Sequence, residues 1–392
     1  MMNNYKICNK CLMDTSDPEI IFFEDGSCNH CNSHLNECLK FDDKEKNKKT
    51  LDSIVNSIRE TSKRSKYDCV IGISGGVDST YIAYLTKTLG LNPLAVHVDN
   101  GWNSELAVDN IQNTLSILKI DLETVVLNWS TFRELQKSFL KASVSDGELP
   151  TDHAIRSSLW SVANKYGIKY LLNGRNYATE GIMPRSWTYS ALDWKYIKGV
   201  HYRFSKKSLK DYPHVSLYEV FKNLLVIRPK NISILNYLKF DKVNAKKILK
   251  EKLKWRDYGG KHYESVYTKF YQGYILPKKF GIDKRRAHLS SMICSKHMSR
   301  TEGLEILKKP PLNEDEIKVE KKFILKKLQI SDFEFNKIMM DDLKCWSSYP
   351  NNSKYLLLER NKKLLRVAKY MKKRGIIPRG FGDNLLVTKE NN

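Results

Sequence analysis

The stretch Ser74-Gly75-Gly76-Val77-Asp78-Ser79-Thr80 has the composition and the setting of a phosphate-binding loop. An apolar run typical of a buried strand precedes it, and an amphipathic pattern typical of a helix follows it. Such a turn directs several backbone N–H groups and the positive end of the helix dipole toward one point, which favours a phosphate. The glycines permit close approach, and the hydroxyls add donors. No lysine follows, so the common Gly-x4-Gly-Lys-Ser/Thr loop is excluded, and a plain chain reversal is the alternative.

Four cysteines near the N-terminus form two Cys-x-x-Cys pairs, Cys8 with Cys11 and Cys28 with Cys31. Two such pairs predict a tetrahedral Zn²⁺ site with four thiolate ligands, although an iron–sulfur cluster or redox pairs would also use them. Residues 20–23 predict a strand and residues 25–27 a hairpin turn, so residues 1–40 are predicted to form a zinc ribbon. So short a segment has no core of its own, and the metal would supply its folding energy.

Strand and helix patterns alternate after a linker and a helix predicted at 41–66. Strands are predicted at 67–73, 93–98, 123–127 and 169–172, with intervening helices near 105–118 and 152–166. This alternation predicts an α/β domain over residues 67–182, built on a doubly wound parallel sheet. Ligands bind such sheets beyond the carboxyl ends of the strands.

Polar residues lie beyond the predicted strands at three places. Asp99 ends the second strand, Asp152 and His153 begin the helix near 152–166, and a further polar group follows the fourth strand, consisting of Gly174, Asn176 and Glu180. Helix capping alone would explain Asp99 and Asp152. Their shared position beyond the strand ends nevertheless makes these residues candidates for nucleotide, metal or catalytic contacts.

The second half of the chain is basic and is predicted to be mainly helical, with a region at 183–310 followed by a C-terminal region at 311–392. One predicted helix has polar side chains at three- and four-residue spacing, namely Lys261, His262, Glu264, Thr268 and Gln272. A solvated helix face is the alternative, but Lys261 or His262 could neutralise charge that builds on a phosphate. Three cations farther along suit a nucleotide or a sugar carboxylate: Lys284, Arg285 and Arg286.

The chain has 392 residues and a net charge of +23, and the whole surplus lies after residue 180. A lysine-rich solvated surface explains this charge, and the alternatives are an acidic substrate, an acidic partner or RNA. The sequence contains no apolar run of membrane-spanning length and no signal peptide pattern. We therefore expect a cytoplasmic protein with reduced thiols and no membrane contact.

The pattern Ser-Gly-Gly-x-Asp-Ser resembles the pyrophosphate loop of the ATP pyrophosphatase superfamily, whose members split ATP into AMP and pyrophosphate. The resemblance implies an adenine nucleotide alpha hydrolase-like fold in which the loop binds the β- and γ-phosphates and leaves the α-phosphorus open to attack. It implies that Asp78 helps to hold Mg²⁺ and that Asp99 lies near adenine or ribose. ATP contacts would continue at Gly174, Asn176 and Glu180.

Three further blocks, together with the cysteine pairs, resemble the bacterial N-acetyl sugar amidotransferases of lipopolysaccharide O-antigen and flagellin glycan synthesis, including that of pseudaminic acid derivatives. The blocks are Asn-Gly-Arg-Asn-x3-Glu-Gly, Gly-Gly-Lys-His-x-Glu-Ser and Gly-Ile-Asp-Lys-Arg-Arg, and the resemblance covers residues 5–305. It implies conversion of an acetamido group into an acetamidino group through an O-adenylylated intermediate. Catalytic roles would fall to Asp78, Asp152, Lys261 and His262, and sugar contacts to Glu264, Thr268, Gln272, Lys284, Arg285 and Arg286.

The same resemblance implies that ammonia comes from a separate glutaminase with a cyclase-like barrel, similar to the pair used in histidine biosynthesis. The second residue is Met2 rather than a nucleophilic cysteine, and no cysteine lies in a Gly-x-Cys-x-Gly elbow. A tRNA sulfurtransferase of the same superfamily is the main alternative, and a non-catalytic ATP-binding scaffold is a third. The ribbon position of the clustered cysteines and the lack of an arginine-aromatic RNA module argue against the sulfurtransferase.

Overall fold

A computed structural model describes residues 5–238, 240–260 and 263–356. Lys261, His262 and residues 357–392 of the predicted C-terminal region lie outside the described residues. Five strands form a single parallel sheet: β1 Cys69–Gly72, β2 Pro93–Asp99, β3 Asp121–Val126, β4 Tyr170–Asn173 and β5 Lys230–Ser233. Their order across the sheet is β3-β2-β1-β4-β5.

The helices of the N-terminal half and the sheet are α1 Asn29–Leu39, α2 Lys44–Ser62, α3 Val77–Thr88, α4 Glu105–Leu118, α5 Trp129–Lys141, α6 Leu149–Lys165 and α7 Tyr177–Glu180. The second half contains α8 Trp194–Phe204, α9 Leu217–Lys222, α10 Lys242–Leu253, α11 Val266–Phe270, α12 Lys284–Cys294, α13 Arg300–Lys308, α14 Glu314–Leu328, α15 Asp332–Met340 and α16 Ser353–Leu356. Short 3-10 helices occupy Arg185–Trp187, Ile234–Tyr237 and Trp346–Ser348, and π-helices occupy Asn223–Ile227 and Tyr271–Phe280.

Helices cover both faces of the sheet, which explains why its central strands are apolar at successive positions. Ile71 and Ala95 belong to a buried cluster with residues of α3 and α4. Val70 and Leu94, their neighbours in sequence, belong to a separate buried cluster with residues of α6. The predicted doubly wound parallel sheet is therefore confirmed, and the boundaries of the four predicted strands differ from the structure by at most two residues.

The fifth strand, β5, lies within the region that was predicted to be mainly helical. It pairs in parallel with β4 along four residues, from Lys230 opposite Tyr170 to Ser233 opposite Asn173. Its sequence Lys-Asn-Ile-Ser is short and polar, and its first two residues are exposed. Hydrophobic periodicity therefore does not predict a strand at this position. The prediction of four strands was therefore incomplete.

Residues 5–40 hold the four clustered cysteines and are called the cysteine module here. They have less regular secondary structure than the predicted zinc ribbon. The strand predicted at 20–23 is wrong, because the only ladder contact there is a single bridge between Phe22 and Cys28 within the described residues. The predicted turn is confirmed, since Gly26 has φ +75° and its N–H donates to the Phe23 carbonyl at 3.0 Å. Helix α1 begins directly after Cys28.

The cysteine module packs against the C-terminal helices rather than standing apart. The Leu12 N–H donates to the Ser290 hydroxyl of α12 at 3.0 Å, and the Arg300 guanidinium donates to the Cys8 and Cys11 carbonyls. One large buried cluster joins the four cysteines to residues of α5, α8, α12, α14 and the 266–280 segment. Among the described residues, no helix is both long and apolar enough to cross a membrane.

Candidate functional site

The loop Ser74–Gly76 connects β1 to α3 at the carboxyl edge of the sheet. Gly75 has φ +79°, and a Cβ atom there would lie 2.4 Å from the Ala107 carbonyl oxygen of α4, so glycine is required. The Ser74 N–H donates to the Ser79 hydroxyl at 3.2 Å, and that hydroxyl donates to the Gly76 carbonyl at 3.1 Å. Gly76 is the N-cap of α3 and offers no capping side chain. The turn is therefore held closed from within, and its N-cap residue has no side chain that would occupy the start of α3.

The segment that begins at Tyr258 lies directly against this loop. The Val77 N–H, in the first turn of α3, donates to the Tyr258 hydroxyl at 3.0 Å. A Cβ atom at Gly76 would lie 3.2 Å from both the Tyr258 hydroxyl and Glu264 Oε1. Burial, followed by the charge of Glu264, raises the pKa of Tyr258, so the phenol stays protonated. Glu264 is thus brought to the phosphate-binding loop.

Backbone hydrogen bonds fasten Glu264 to the end of β2. The Ser104 N–H donates to the Glu264 carbonyl at 2.9 Å, and the Val266 N–H donates to the Trp102 carbonyl at 2.9 Å. Glu264 therefore precedes α11 rather than lying on it, which corrects the prediction of one polar helix face from 261 to 272. The geometry that brings this carboxylate to the loop is a β-bridge, between Asn103 and Ser265.

The end of β4 meets the start of α3. A Cβ atom at Gly174 would lie 2.9 Å from the backbone carbonyl of Asp78, so the glycine permits this contact. The Lys242 ammonium lies 3.8 Å from the Asp78 carboxylate. Buried Asn176 caps α7 by accepting the Thr179 N–H at 2.9 Å, and Glu180 ends that helix partly exposed. The structure therefore brings Asp78 and Gly174 together and gives Asn176 a capping role.

Thr80 differs from the other predicted loop residues because its side chain is wholly buried. Its hydroxyl has no hydrogen-bond partner in the described part of the chain and lies beneath the surface of the loop. The structure therefore presents Ser74 and Ser79, but not Thr80, beside the glycines.

A cavity of about 580 Å³ opens beside the end of β2 and the inner face of α4. His97, Asp99 and Asn103 line it together with apolar residues of α4. Asp99 accepts the Gly101 N–H at 2.9 Å, and His97 Nδ1 donates to the Ile73 carbonyl at 2.9 Å, which leaves Nε2 to accept from the Asn103 amide at 3.0 Å. Asp99 consequently borders a cavity that offers both apolar surface and polar groups, as a nucleoside would require.

His153 has a structural environment. Its Nδ1 donates to the Ala191 carbonyl at 2.6 Å, its Nε2 accepts the Val215 N–H at 3.2 Å, and its ring stacks on Trp194. Burial lowers the pKa of His153 to about 4, so the neutral ring is the form present near neutral pH. Asp152, the preceding residue, is exposed at the same end of α6. Of the two, Asp152 is the one that a ligand could reach.

Glu148, which no sequence pattern indicated, joins two residues that were predicted to bind the sugar. The Lys284 ammonium lies 2.7 Å from Glu148 Oε2, and the Gln272 amide donates to the same carboxylate at 2.9 Å. Burial alone would lower the pKa of Lys284, but the charge and the hydrogen bond of Glu148, together with the charges of Asp152 and Asp146, outweigh burial and raise that pKa. Only the fold could identify Glu148, since its partners follow more than a hundred residues later.

Arg285 and Arg286 do not join this group. The Arg285 guanidinium binds the Asp283 carboxylate at 2.7 Å and the Lys309 carbonyl at 2.9 Å. The Arg286 guanidinium lies 3.0 Å from the Asp14 carboxylate. These contacts connect α12 to α13 and to the cysteine module, so Lys284 alone of the three cations contacts Glu148. Thr268 lies within α11, and its N–H donates to the capping Ser265 hydroxyl.

The four N-terminal cysteines form one buried group. The sulfur atoms of Cys8 and Cys31 are 3.6 Å apart, and those of Cys11 and Cys28 are 3.7 Å apart. Tetrahedral zinc with bonds of about 2.3 Å requires sulfur separations of about 3.8 Å. The neighbouring Cys28 thiol lowers the pKa of Cys11 to about 4, which favours a thiolate ligand. The tetrad therefore fits a structural zinc site.

Two family models match this chain. Residues 49–176 match the NAD synthase family, and residues 264–364 match the C-terminal domain of the WbpG-like lipopolysaccharide biosynthesis proteins. The two matches together support a WbpG-like protein of the PP-loop superfamily. The first match contains the phosphate-binding loop, and the second begins at Glu264, the carboxylate that lies against it. The NAD synthase match supports an ATP-using enzyme of the C–N ligase type that employs Mg²⁺.

Individual relatives were also found. An uncharacterized protein of Methanocaldococcus jannaschii, MJ1599, is 31% identical over 172 residues, which are 43% of this chain and 58% of that protein. The chain thus spans little more than half of that relative. The NMN synthetase of Francisella tularensis is similar over 36% of this chain and 60% of its own, with 19% identity and a TM-score of 0.27. The NH3-dependent NAD synthetase of Campylobacter jejuni is similar over 77% of this chain and 99% of its own, with 15% identity and a TM-score of 0.30.

Proposed function

We propose that this protein is an ATP-dependent amidotransferase that converts the acetamido group of a bacterial N-acetyl sugar into an acetamidino group. The contact of Glu264 and Tyr258 with the loop glycine Gly76 is the observation that carries this proposal. It unites a loop suited to the phosphates of ATP with the domain that distinguishes the WbpG-like proteins. The place of that family in lipopolysaccharide biosynthesis supports a surface-glycan precursor as the substrate.

In the proposed complex, the loop amides and the hydroxyls of Ser74 and Ser79 bind the β- and γ-phosphates. Asp78 supplies a carboxylate for Mg²⁺, which prefers oxygen ligands and would offset phosphate charge, and Glu180 is proposed to assist. Gly174 permits close approach of the nucleotide, and Asp99 contacts the nucleoside at the cavity beside β2. Asn176 supports this site by ordering α7.

The proposed reaction has two steps that balance in atoms and charge. The acetamido carbonyl oxygen attacks the α-phosphorus of ATP, pyrophosphate leaves, and an O-adenylyl imidate forms. Ammonia then attacks the imidate carbon, the C–O bond breaks, and AMP leaves to give the amidine. Lys261 and His262 would stabilise the charge that builds on the phosphate, and exposed Asp152 would accept the proton that ammonia loses.

Glu264, Thr268, Gln272 and Lys284 are proposed to orient the sugar. Glu148 holds the last two in place, because both hydrogen bond to its carboxylate. A separate glutaminase is proposed to supply ammonia, since free ammonia is mostly protonated near neutral pH. The zinc site would stabilise the N-terminal module against α12 without entering the reaction.

The experiment incubates the purified chain with ATP, Mg²⁺, ammonium and a panel of N-acetyl sugars. We expect AMP and pyrophosphate together with the mass change of replacing a sugar oxygen by NH, and no product when glutamine replaces ammonium. An Asp78→Asn variant should lose this activity. Production of ADP and orthophosphate, or amidine formation from glutamine without a second protein, would contradict the proposal. Co-purifying RNA that is released steeply with salt would instead favour a tRNA sulfurtransferase.

A further inference from the structure

The ammonium of Lys327, on α14, lies among three aromatic rings at the end of β2. It is 4.8 Å from the centre of the Trp102 ring, 5.0 Å from that of Trp129 and 5.5 Å from that of Phe323, and we call these three rings the aromatic cage. The same ammonium donates a hydrogen bond to the Gly101 carbonyl. Aromatic faces attract a cation, so the rings and the carbonyl together hold this lysine in place. Helix α14 is thereby attached to the loop that follows β2.

Gly101 connects this lysine to the cavity beside β2. Gly101 and Asp99 both line that cavity. The Gly101 N–H donates to the Asp99 carboxylate at 2.9 Å, while the Gly101 carbonyl accepts from Lys327. Gly101 has φ +77°, and a Cβ atom there would lie 3.1 Å from the Trp129 ring, so the loop packs directly on one wall of the aromatic cage. A shift of Gly101 would therefore also move the donor that orients the Asp99 carboxylate.

The first half of α14 is fixed to α11. Lys269 of α11 lies 3.0 Å from Glu316 Oε1 and 2.6 Å from Glu320 Oε1, both on α14. About three helical turns, or about 16 Å, separate Glu316 from Lys327. One helix therefore contacts both the loop after β2 and the helix that follows Glu264, and these two segments are joined by the β-bridge. Helix α14 thus supports the junction that brings Glu264 to the phosphate-binding loop.

The charge of Lys327 also acts on the cavity. Burial lowers the pKa of Lys327, and the charge of Asp99 opposes that shift, so the ammonium and the carboxylate attract one another. An uncharged residue at this position would remove the donor to the Gly101 carbonyl and a positive charge close to Asp99. Both losses would loosen the loop at the edge of the cavity.

We propose that Lys327 is a positioning residue for ATP, which fixes Gly101 and thereby orients Asp99 toward the nucleoside. This inference rests on the proposed function, because it takes the cavity beside β2 as the nucleoside site. A loop that is already held in its binding conformation loses less conformational entropy when the ligand binds, so the affinity for ATP is higher. A helix within the WbpG-like segment would in this way set the nucleotide affinity of the NAD synthase-like segment.

The test measures the affinity of the full-length protein for a non-hydrolysable ATP analogue with Mg²⁺ by calorimetry, and its stability by urea unfolding. Lys327→Met should weaken binding of the analogue roughly tenfold, the lower end of the loss expected for a hydrogen bond from a charged group. Lys327→Arg keeps a cation and a donor and should restore most of the affinity. Lys326→Met, at the exposed neighbouring lysine, is the matched control and should leave the affinity unchanged.

Phe323→Ala tests the aromatic cage without altering the ammonium, and it decides the matter if Lys327→Met does not fold. Phe323 is 47% exposed, so its removal costs little packing, but one wall of the cage is lost. We expect the affinity for the analogue to fall about two- to fivefold, the contribution of a cation–π contact at an exposed site. Phe333→Ala, at a ring 81% exposed on α15, should leave the affinity unchanged.

A folded Lys327→Met protein that binds the analogue like the wild type would overturn the inference, even if it were less stable, because a merely structural contact changes stability alone. If that variant does not fold, unchanged binding by Phe323→Ala would overturn it. An equal loss of affinity in Lys326→Met would attribute the effect to net charge and would also overturn it. Analogue binding by the wild type judges the proposed function separately, and its absence would contradict that proposal as well.

Discussion

Replacing Gly75 by alanine should weaken ATP binding as well as destabilise the fold. The new Cβ would lie 2.4 Å from the Ala107 carbonyl oxygen, which is backbone and cannot rotate away. Heavy atoms prefer separations of about 3.5 Å, so the loop or the start of α4 must move by about 1 Å. The left-handed φ of +79° adds a backbone cost of about 1–2 kcal/mol for any residue with a side chain.

Gly167→Ala is the matched control, because Gly167 has φ +66° and a Cβ atom there would meet nothing within 4 Å. It carries the backbone cost alone. We expect Gly167→Ala to lose about 1–2 kcal/mol of unfolding free energy in urea, and Gly75→Ala to lose that amount plus about 1–3 kcal/mol for the displaced backbone. Only Gly75→Ala should also weaken ATP binding by about tenfold or more, since losing one hydrogen bond to a charged phosphate costs about 1.5–3 kcal/mol. Calorimetry with an ATP analogue measures this affinity. A folded Gly75→Ala protein that binds ATP like the wild type would refute our assignment of the loop.

Three further outcomes are expected. Cys31→Ser should abolish zinc retention measured by elemental analysis and lower the melting temperature, whereas Cys345→Ser, at an exposed thiol outside the tetrad, should do neither. Glu148→Gln and Lys284→Met should each lower the unfolding free energy by about 2 kcal/mol, and the double variant should lose less than their sum; additive losses would exclude a coupled pair. His153 should contribute a fall of up to about 3 kcal/mol in unfolding free energy as pH drops from about 6.5 to about 4, because the unfolded chain protonates this ring while the fold excludes that proton. His153→Gln should lack this part of the pH dependence, and an unchanged slope would contradict the assignment.

Local patterns were sufficient to predict the sheet core and the loop. The apolar runs at β1 and β2 and the glycines before α3 are contiguous in sequence, so their periodicity and turn chemistry could be interpreted directly. The cysteine tetrad was equally predictable from the sequence, because the spacing within two short pairs is typical of four cysteines that share one metal site.

Contacts between distant segments were not predictable in this way. Glu264 was placed on a helix because its neighbours recur at helical spacing, whereas the bridge between Asn103 and Ser265 holds this stretch extended. The residues that neighbour Glu148 in sequence do not predict a role for it, since that role depends on its ion pair with the distant Lys284. Strand β5 is short and polar, and pairing with β4 rather than intrinsic propensity explains its formation.

Charged residues illustrate the same limit. Lys284, Arg285 and Arg286 are adjacent and chemically alike, yet successive positions on a helix point in different directions. Only Lys284 reaches Glu148, while the other two bind groups of α13 and of the cysteine module. A run of cations in sequence therefore indicates a ligand site only after each partner is known.

The most direct measurement follows the acetamido oxygen itself. A sugar substrate labelled with heavy oxygen at the acetamido carbonyl would be incubated with the protein, ATP, Mg²⁺ and ammonium, and the nucleotide products would be analysed by mass spectrometry. Attack of that oxygen on the α-phosphorus predicts that AMP carries the label and that pyrophosphate does not. Unlabelled AMP, or a label found in ADP or orthophosphate, would contradict the account.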